Sequence, residues 1–213
     1  MRSIDIQLHR VPFFLEPDYL NKPDTFIESH EERMIRKFGS LESFIQVKAL
    51  HGLERRGAEA GLDKIGFCQE ALDMRVQSAT LNSHRLVLFV EQLYGSEYAE
   101  ALYNRLNCEH FINVGVLNDR SLLSKCIASI GFSANQIIEL EAYLGNSQRG
   151  RAETLDLYEQ ALSLGIDSIP TLIVDGKYAL NGAVSAMEVE HVLKQVIREG
   201  ITGRRAFQAR KIV

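Results

Sequence analysis

The tract from Gly165 to Gly200 constrains the fold most, because strand, turn and helix signals follow one another in it without interruption. Thr171 to Val174 is a short β-rich run, Asp175-Gly176 is a strong hairpin signal, and Lys177 to Leu180 alternates in polarity. Ser185-Ala-Met-Glu188 has the spacing of a capping box. Val189, Val192, Leu193, Val196 and Ile197 then share one helical face until Gly200 stops the helix. The tract therefore predicts a ββα unit entered through Ile169-Pro170, a place where proline also suits the first position of an ordinary edge strand.

Elsewhere the chain reads mostly as helices. Ser3 to Leu8 alternates, with Ile4, Ile6 and Leu8 on one face, and predicts a strand left through Val11-Pro12 and Glu16-Pro17. Thr25-Phe-Ile-Glu28 reads as a capping box for a helix that presents Ile27, Met34, Ile35 and Phe38 before Gly39. Leu41, Phe44 and Ile45 open the next. Asn82 is the expected N-cap of a helix burying Leu86, Phe89, Val90 and Leu93, and Ser96 to Asn107 forms another. Ser121 to Ile130 and a helix capped by Ser133 and Gln136, carrying Ile137, Ile138 and Leu144, follow. After a break at Gly145 to Gly150, Ala152 to Leu164 leads back to the Ile-Pro strand.

The order and wording of these pieces resemble the DsbA-like family of the thioredoxin fold, in particular its FrnE-type branch. The resemblance rests on Gly165 to Gly182 with the capped helix after it, on Thr80-Leu-Asn-Ser-His-Arg-Leu86, and on a helical module inserted between a strand and a long returning helix. It implies an α/β, thioredoxin-like (DsbA-like) fold with a large all-helical insertion and a sheet incomplete at the N-terminus. The expected division is residues 1–24 and 149–202 as a discontinuous thioredoxin-like domain, 25–148 as the helical insertion and 203–213 as a basic, solvated tail. In the family the proline matching Pro170 is cis and faces the redox site, and the residue before it pairs with bound polypeptide. Ile169, Pro170 and Thr171 are thus the peptide-binding residues the resemblance implies.

The family's chemistry also needs a Cys-x-x-Cys at the start of its first helix, where the helix dipole stabilises a thiolate. The cysteines here are Cys68, Cys108 and Cys126, and no two have that spacing. Ser3 to Pro17 resembles the family's second strand and the loop after it, so the first strand, the motif and the first helix are expected to be missing. The resemblance then implies a thiol–disulfide oxidoreductase relative that is redox-inactive as written, with no catalytic residue assigned. A non-catalytic module binding a peptide or a protein thiol substrate is an alternative reading. A relative of the kappa-class glutathione transferases or isomerases is a further one. Losing a central strand leaves two open edges, and a homodimer joined through the incomplete sheet is expected to close them.

Composition narrows the classes. A chain of 213 residues that is 46% hydrophobic and 24% charged can bury a core. Its net charge of −4 gives no basic face for nucleic acid, and no apolar run reaches membrane-spanning length. Cysteines without partners and no secretory leader point to the cytoplasm. Neither a cofactor nor a metal is expected. Cys108-Glu-His110 offers adjacent ligands without a second cluster, and His84 in a first helical turn reads as a local packing residue. Cys126 lies on an apolar face, whereas Cys68 and Cys108 are reactive if exposed.

Overall fold

The computed structural model describes the backbone of residues 5–51 and 74–212, and the side chains of 5–46 and 74–212. Cys68 lies outside the described residues. The chain separates into two compact units, one of Met1–Arg10 with Glu16–Arg149, the other of Val11–Leu15 with Gly150–Val213.

In the first unit a single 3₁₀ turn, Pro17–Asn21, precedes a short ladder in which β1 (Ile27–Ser29) pairs antiparallel with β2 (Val76–Ser78). This ladder corrects the expectation of an all-helical segment. It also moves the first capping box. Ile27 to Ser29 are drawn out to meet β2, so Ser29 rather than Thr25 caps α1 (His30–Phe38), and Glu32 returns the bond to the Ser29 amide at 2.9 Å. Around α1 the carboxylates of Glu16 and Glu28 gather Arg33, Arg36 and Lys37, with Arg36 to Glu28 at 2.7 Å. Helix α2 (Leu41–His51) follows Gly39, which ends α1 in the left-handed conformation.

The core of this unit forms around α3 (Leu81–Tyr94), whose Leu86, Phe89 and Val90 are buried together with Val87 and Leu88. Against it stand α4 (Ser96–Asn107), which continues into a π-helical turn at Cys108–Ile112, and α6 (Ala134–Gly145), while α5 (Arg120–Ser129) packs on α4 and α6. Phe89 stacks on Tyr143 with ring centres 3.9 Å apart. The guanidinium of Arg85 is only 1% exposed; it lies 5.0 Å from the centre of the Tyr143 ring and donates to the carbonyls of Asn146, at 3.0 Å, and Arg149. Leu93, expected to face inward, is exposed at the C-terminal end of α3, and Ile138 of α6 is exposed as well.

Asp5 to Leu8 adopt no strand, contrary to the alternation of Ser3 to Leu8. Ile6 is 65% exposed, and no described segment pairs with these residues, so the pattern finds no surface to cover. Side chains fasten the next two residues instead. His9 meets Glu91, and Arg10 grips Glu100 through two bonds of 2.6 and 2.9 Å while lying 4.2 Å from the centre of the Tyr103 ring.

The second unit holds the ββα arrangement. Its helix α7 (Arg151–Ser163) buries Thr154, Leu157, Tyr158 and Ala161, and Phe13 and Phe14 pack edge-on against Tyr158 at 5.6 and 4.9 Å. Strands β3 (Thr171–Val174) and β4 (Tyr178–Asn181) form an antiparallel pair, with Lys177 in the turn rather than in the strand. Asp175 and Gly176 both have positive φ, 54° and 64°, as a type I′ turn requires. Helix α8 (Ala186–Glu199) starts on the Ser185–Glu188 capping box and buries Val192 and Val196.

The tail is largely exposed but is held at points along its length. Gln160 on α7 reads the main chain of Gln208 as a strand would, accepting from its amide at 3.0 Å and donating to its carbonyl at 3.1 Å. Arg210 meets Asp156 at 3.2 Å, and Ile212 is buried. Two reciprocal amide bonds and one apolar anchor tie its main chain to α7 and the core of this unit.

Candidate functional site

The open edge of β3 is the candidate site. In an antiparallel ladder the amide and carbonyl of one residue point to the same side, and successive residues alternate. The amide of Gly182 donates to the carbonyl of Pro170 at 2.8 Å, which turns Pro170, Leu172 and Val174 toward β4. Thr171 and Ile173 therefore present their main-chain groups to the other side, and Ile169 lies in the bend just before the strand. Among the described residues no strand lies there, and Ile169 makes no main-chain hydrogen bond.

The edge is shaped by its own side chains. The Ile169-Pro170 bond is cis. Ile169 is 47% exposed, and the Thr171 hydroxyl donates to the carbonyl of Ser168 at 2.8 Å, holding the bend before the strand. At the far end the Asp175 carboxylate accepts from the amides of Thr202 and Gly203 at 2.9 and 2.7 Å, which keeps its pKa below the ordinary aspartate range and ties the turn to the segment after α8. Lys177 and Tyr178 both reach Glu199, which they hold down to a pKa of about 2. Of the three residues the sequence singled out, Thr171 offers backbone to the edge, Pro170 spends its carbonyl on the ladder, and Ile169 lies in the bend before the strand. Ile173 belongs with Thr171. Counting in twos back from the Asp175-Gly176 turn is the sequence signal that would have found it.

The cysteines are not assembled into a site. Cys108 is exposed and Cys126 is fully buried; both are free thiols. Burial raises the pKa of Cys126, with the Glu109 carboxylate adding to the effect, so it is a poor nucleophile at neutral pH. The neighbours of Cys108 are engaged elsewhere, Glu109 with Arg105 and His110 Nδ1 with the carbonyl of Gly115 at 3.0 Å. Burial lowers the pKa of His110. Among the described residues no three metal-ligating side chains converge. The amide of His84 donates to the carbonyl of Thr80 at 3.0 Å in the first turn of α3. No helix among the described residues is long and apolar enough to cross a membrane.

The chain has a DsbA-like thioredoxin fold, in which a helical module is followed by a cis-proline, a β-hairpin and a capped helix. The chain is similar in structure to a probable DsbA oxidoreductase from Streptomyces coelicolor, with a TM-score of 0.62 and 18% identity over 90% of this chain and 74% of that one. No protein-family model matches the sequence, and no curated protein does.

Proposed function

We propose that this chain is a FrnE-type relative of the DsbA thiol–disulfide oxidoreductases whose 213 residues perform no dithiol exchange. The observation that carries this reading is the cysteine arrangement. Exchange needs an attacking thiolate and a resolving partner close by, and here Cys126 is sealed in the core while the sequence spaces no two cysteines as a redox pair. Unpaired thiols of this kind suit a reducing cytoplasm. Reduction of insulin by dithiothreitol tests the reading: the protein is expected to leave the rate at background. Turnover like that of a dithiol-bearing DsbA protein would overturn it.

A second reading is favoured by the unpartnered backbone of Ile169, Thr171 and Ile173. The edge binds an extended polypeptide segment as an added strand, through main-chain bonds that do not depend on its sequence. Titration of a fluorescent, extended decapeptide followed by anisotropy tests it. Saturable binding is expected, and a flat titration to millimolar peptide would contradict it.

A further inference from the structure

We infer that Asn181-Gly182 is a covalent modification site, where the asparagine turns spontaneously into isoaspartate when the end of the hairpin opens, and that this conversion dismantles the β3 edge. Only that last consequence rests on the reading of the edge as a strand-pairing site. Asn181 is the one asparagine of this sequence that precedes a glycine. Both residues are exposed, and a Cβ built at Gly182 would meet nothing within 4 Å, so the main-chain nitrogen of Gly182 is open to the side chain before it. Once that nitrogen loses its proton to solvent, it attacks Cγ of Asn181. The N–Cγ bond forms, the bond from Cγ to the side-chain nitrogen breaks, and that nitrogen leaves as ammonia with a proton taken from water. Water then opens the cyclic imide. Attack at the main-chain carbonyl carbon routes the chain through Cγ as isoaspartate, and attack at Cγ gives aspartate.

One hydrogen bond gates the site. The nucleophile is the Gly182 nitrogen, and in the closed hairpin its proton is held by the carbonyl of Pro170 at 2.8 Å. That bond lies just beyond Thr171 and Asn181, the last pair of the ladder. A lone two-stranded ladder is marginal, and its ends open at far lower free energy than the fold as a whole. Among the described residues the Asn181 carboxamide meets only the Thr171 hydroxyl, at 3.2 Å, and the single proton of that hydroxyl also has the Ser168 carbonyl as an acceptor at 2.8 Å. Comparable positions are locked. Asp175 also precedes a glycine, but its carboxylate is fastened to the amides of Thr202 and Gly203, and a Cβ at Gly176 would meet Arg204 at 3.0 Å. Asn146, before Ser147, spends its carboxamide oxygen on the amides of Gln148 and Arg149 at 3.1 and 3.2 Å. Isoaspartate at position 181 adds a methylene to the main chain before Gly182, so the Gly182 amide no longer meets Pro170 and the parity that turns Thr171 and Ile173 outward is lost.

Incubation of the intact chain at 37 °C and pH 7.4, with peptide mapping by mass spectrometry and enzymatic carboxyl methylation to mark isoaspartate, tests the inference. Asn181 is expected to gain about one mass unit and to yield isoaspartate, at a rate about tenfold or more below that of the chain denatured in urea, because the closed hairpin withholds the nucleophile. Amide exchange at Leu172, protected in fresh protein, is expected to speed up in the converted fraction. Asn181→Gln should stay unmodified, with Leu172 protected throughout. An Asn181 still unmodified after a month, conversion as fast as in urea, or an isoaspartate form with Leu172 still protected overturns the inference. Peptide anisotropy on the same samples separates the two readings. Fresh protein that captures peptide and loses it in step with conversion supports both; protein that never captures peptide, yet converts and frees Leu172, retains the modification site and excludes the strand-pairing edge.

Discussion

The amide of Gly182 donates to the carbonyl of Pro170 at 2.8 Å, so the hairpin ladder runs one pair beyond the last strand residues and fixes which groups of β3 are left over. Those are the groups of Thr171 and Ile173. Proline is tolerated on a strand whose amide faces away from its ladder. Ile173→Pro is therefore expected to keep the hairpin, read as an unchanged far-ultraviolet circular dichroism spectrum, and to abolish strand addition, read as loss of peptide anisotropy. Leu172→Pro removes an amide bonded to β4 and is expected to melt the hairpin itself.

Arg85 is the side chain whose removal costs the first unit most. Its guanidinium, almost fully buried, satisfies two main-chain carbonyls at the end of α6 and the break before α7. Arg85→Met retains the apolar stem and strands both acceptors. Urea denaturation is expected to show a loss of about 2–4 kcal/mol, from roughly 1–3 kcal/mol for each unsatisfied buried group.

Gly115 is required by space. A Cβ built there would sit 2.9 Å from the carbonyl oxygen of Glu109 and closer still to Leu122 Cδ1. Gly115→Ala is expected to destabilise by about 1–3 kcal/mol, as overpacking does. Adding Leu122→Ala should recover less than half in thermal melts, because the Glu109 backbone cannot retreat.

Acid stability carries the signature of Glu199. Lys177, then Tyr178 and Gln195, hold its pKa at about 2 against 4.5 for an ordinary glutamate. A carboxylate depressed in the folded state contributes stability that is complete above its unfolded pKa and is lost as pH falls through the folded one. The expected window therefore runs from pH 4.5 down to about 2. Glu199→Gln should flatten the urea midpoint across it, and salt should do the same in part, because the pair is exposed.

Cys126 and Cys108 should separate cleanly by reactivity. At pH 8, 5,5′-dithiobis(2-nitrobenzoate) is expected to label Cys108 at once and Cys126 only after urea unfolds the chain, since burial both hides that thiol and raises its pKa. Cys108→Ser should remove the corresponding fast amplitude.

Local rules read well wherever the physics was local. The Ser133–Gln136 and Ser185–Glu188 boxes, the glycine stops at Gly39 and Gly95 and the Asp175-Gly176 turn all stand where residue spacing puts them. Errors came where distant partners decide. Thr25 loses its cap to Ser29 because β2, some fifty residues on, pulls Ile27 to Ser29 straight, and Ser3 to Leu8 alternates without a neighbour to make it a strand at its described residues. Composition said the tail was free, yet a single glutamine on α7 holds its main chain. At the edge, Ile169 and Thr171 are residues that the resemblance names. Ile173 needed the parity that the Gly182–Pro170 bond supplies.

Amide hydrogen exchange of the ¹⁵N-labelled chain tests the strand-pairing edge most directly. The amides of Thr171 and Ile173 are expected to exchange freely without peptide and to become at least tenfold protected as extended peptide is added, while Leu172 stays protected throughout. Free exchange of Thr171 and Ile173 under every one of these conditions would contradict an edge built to pair with another strand.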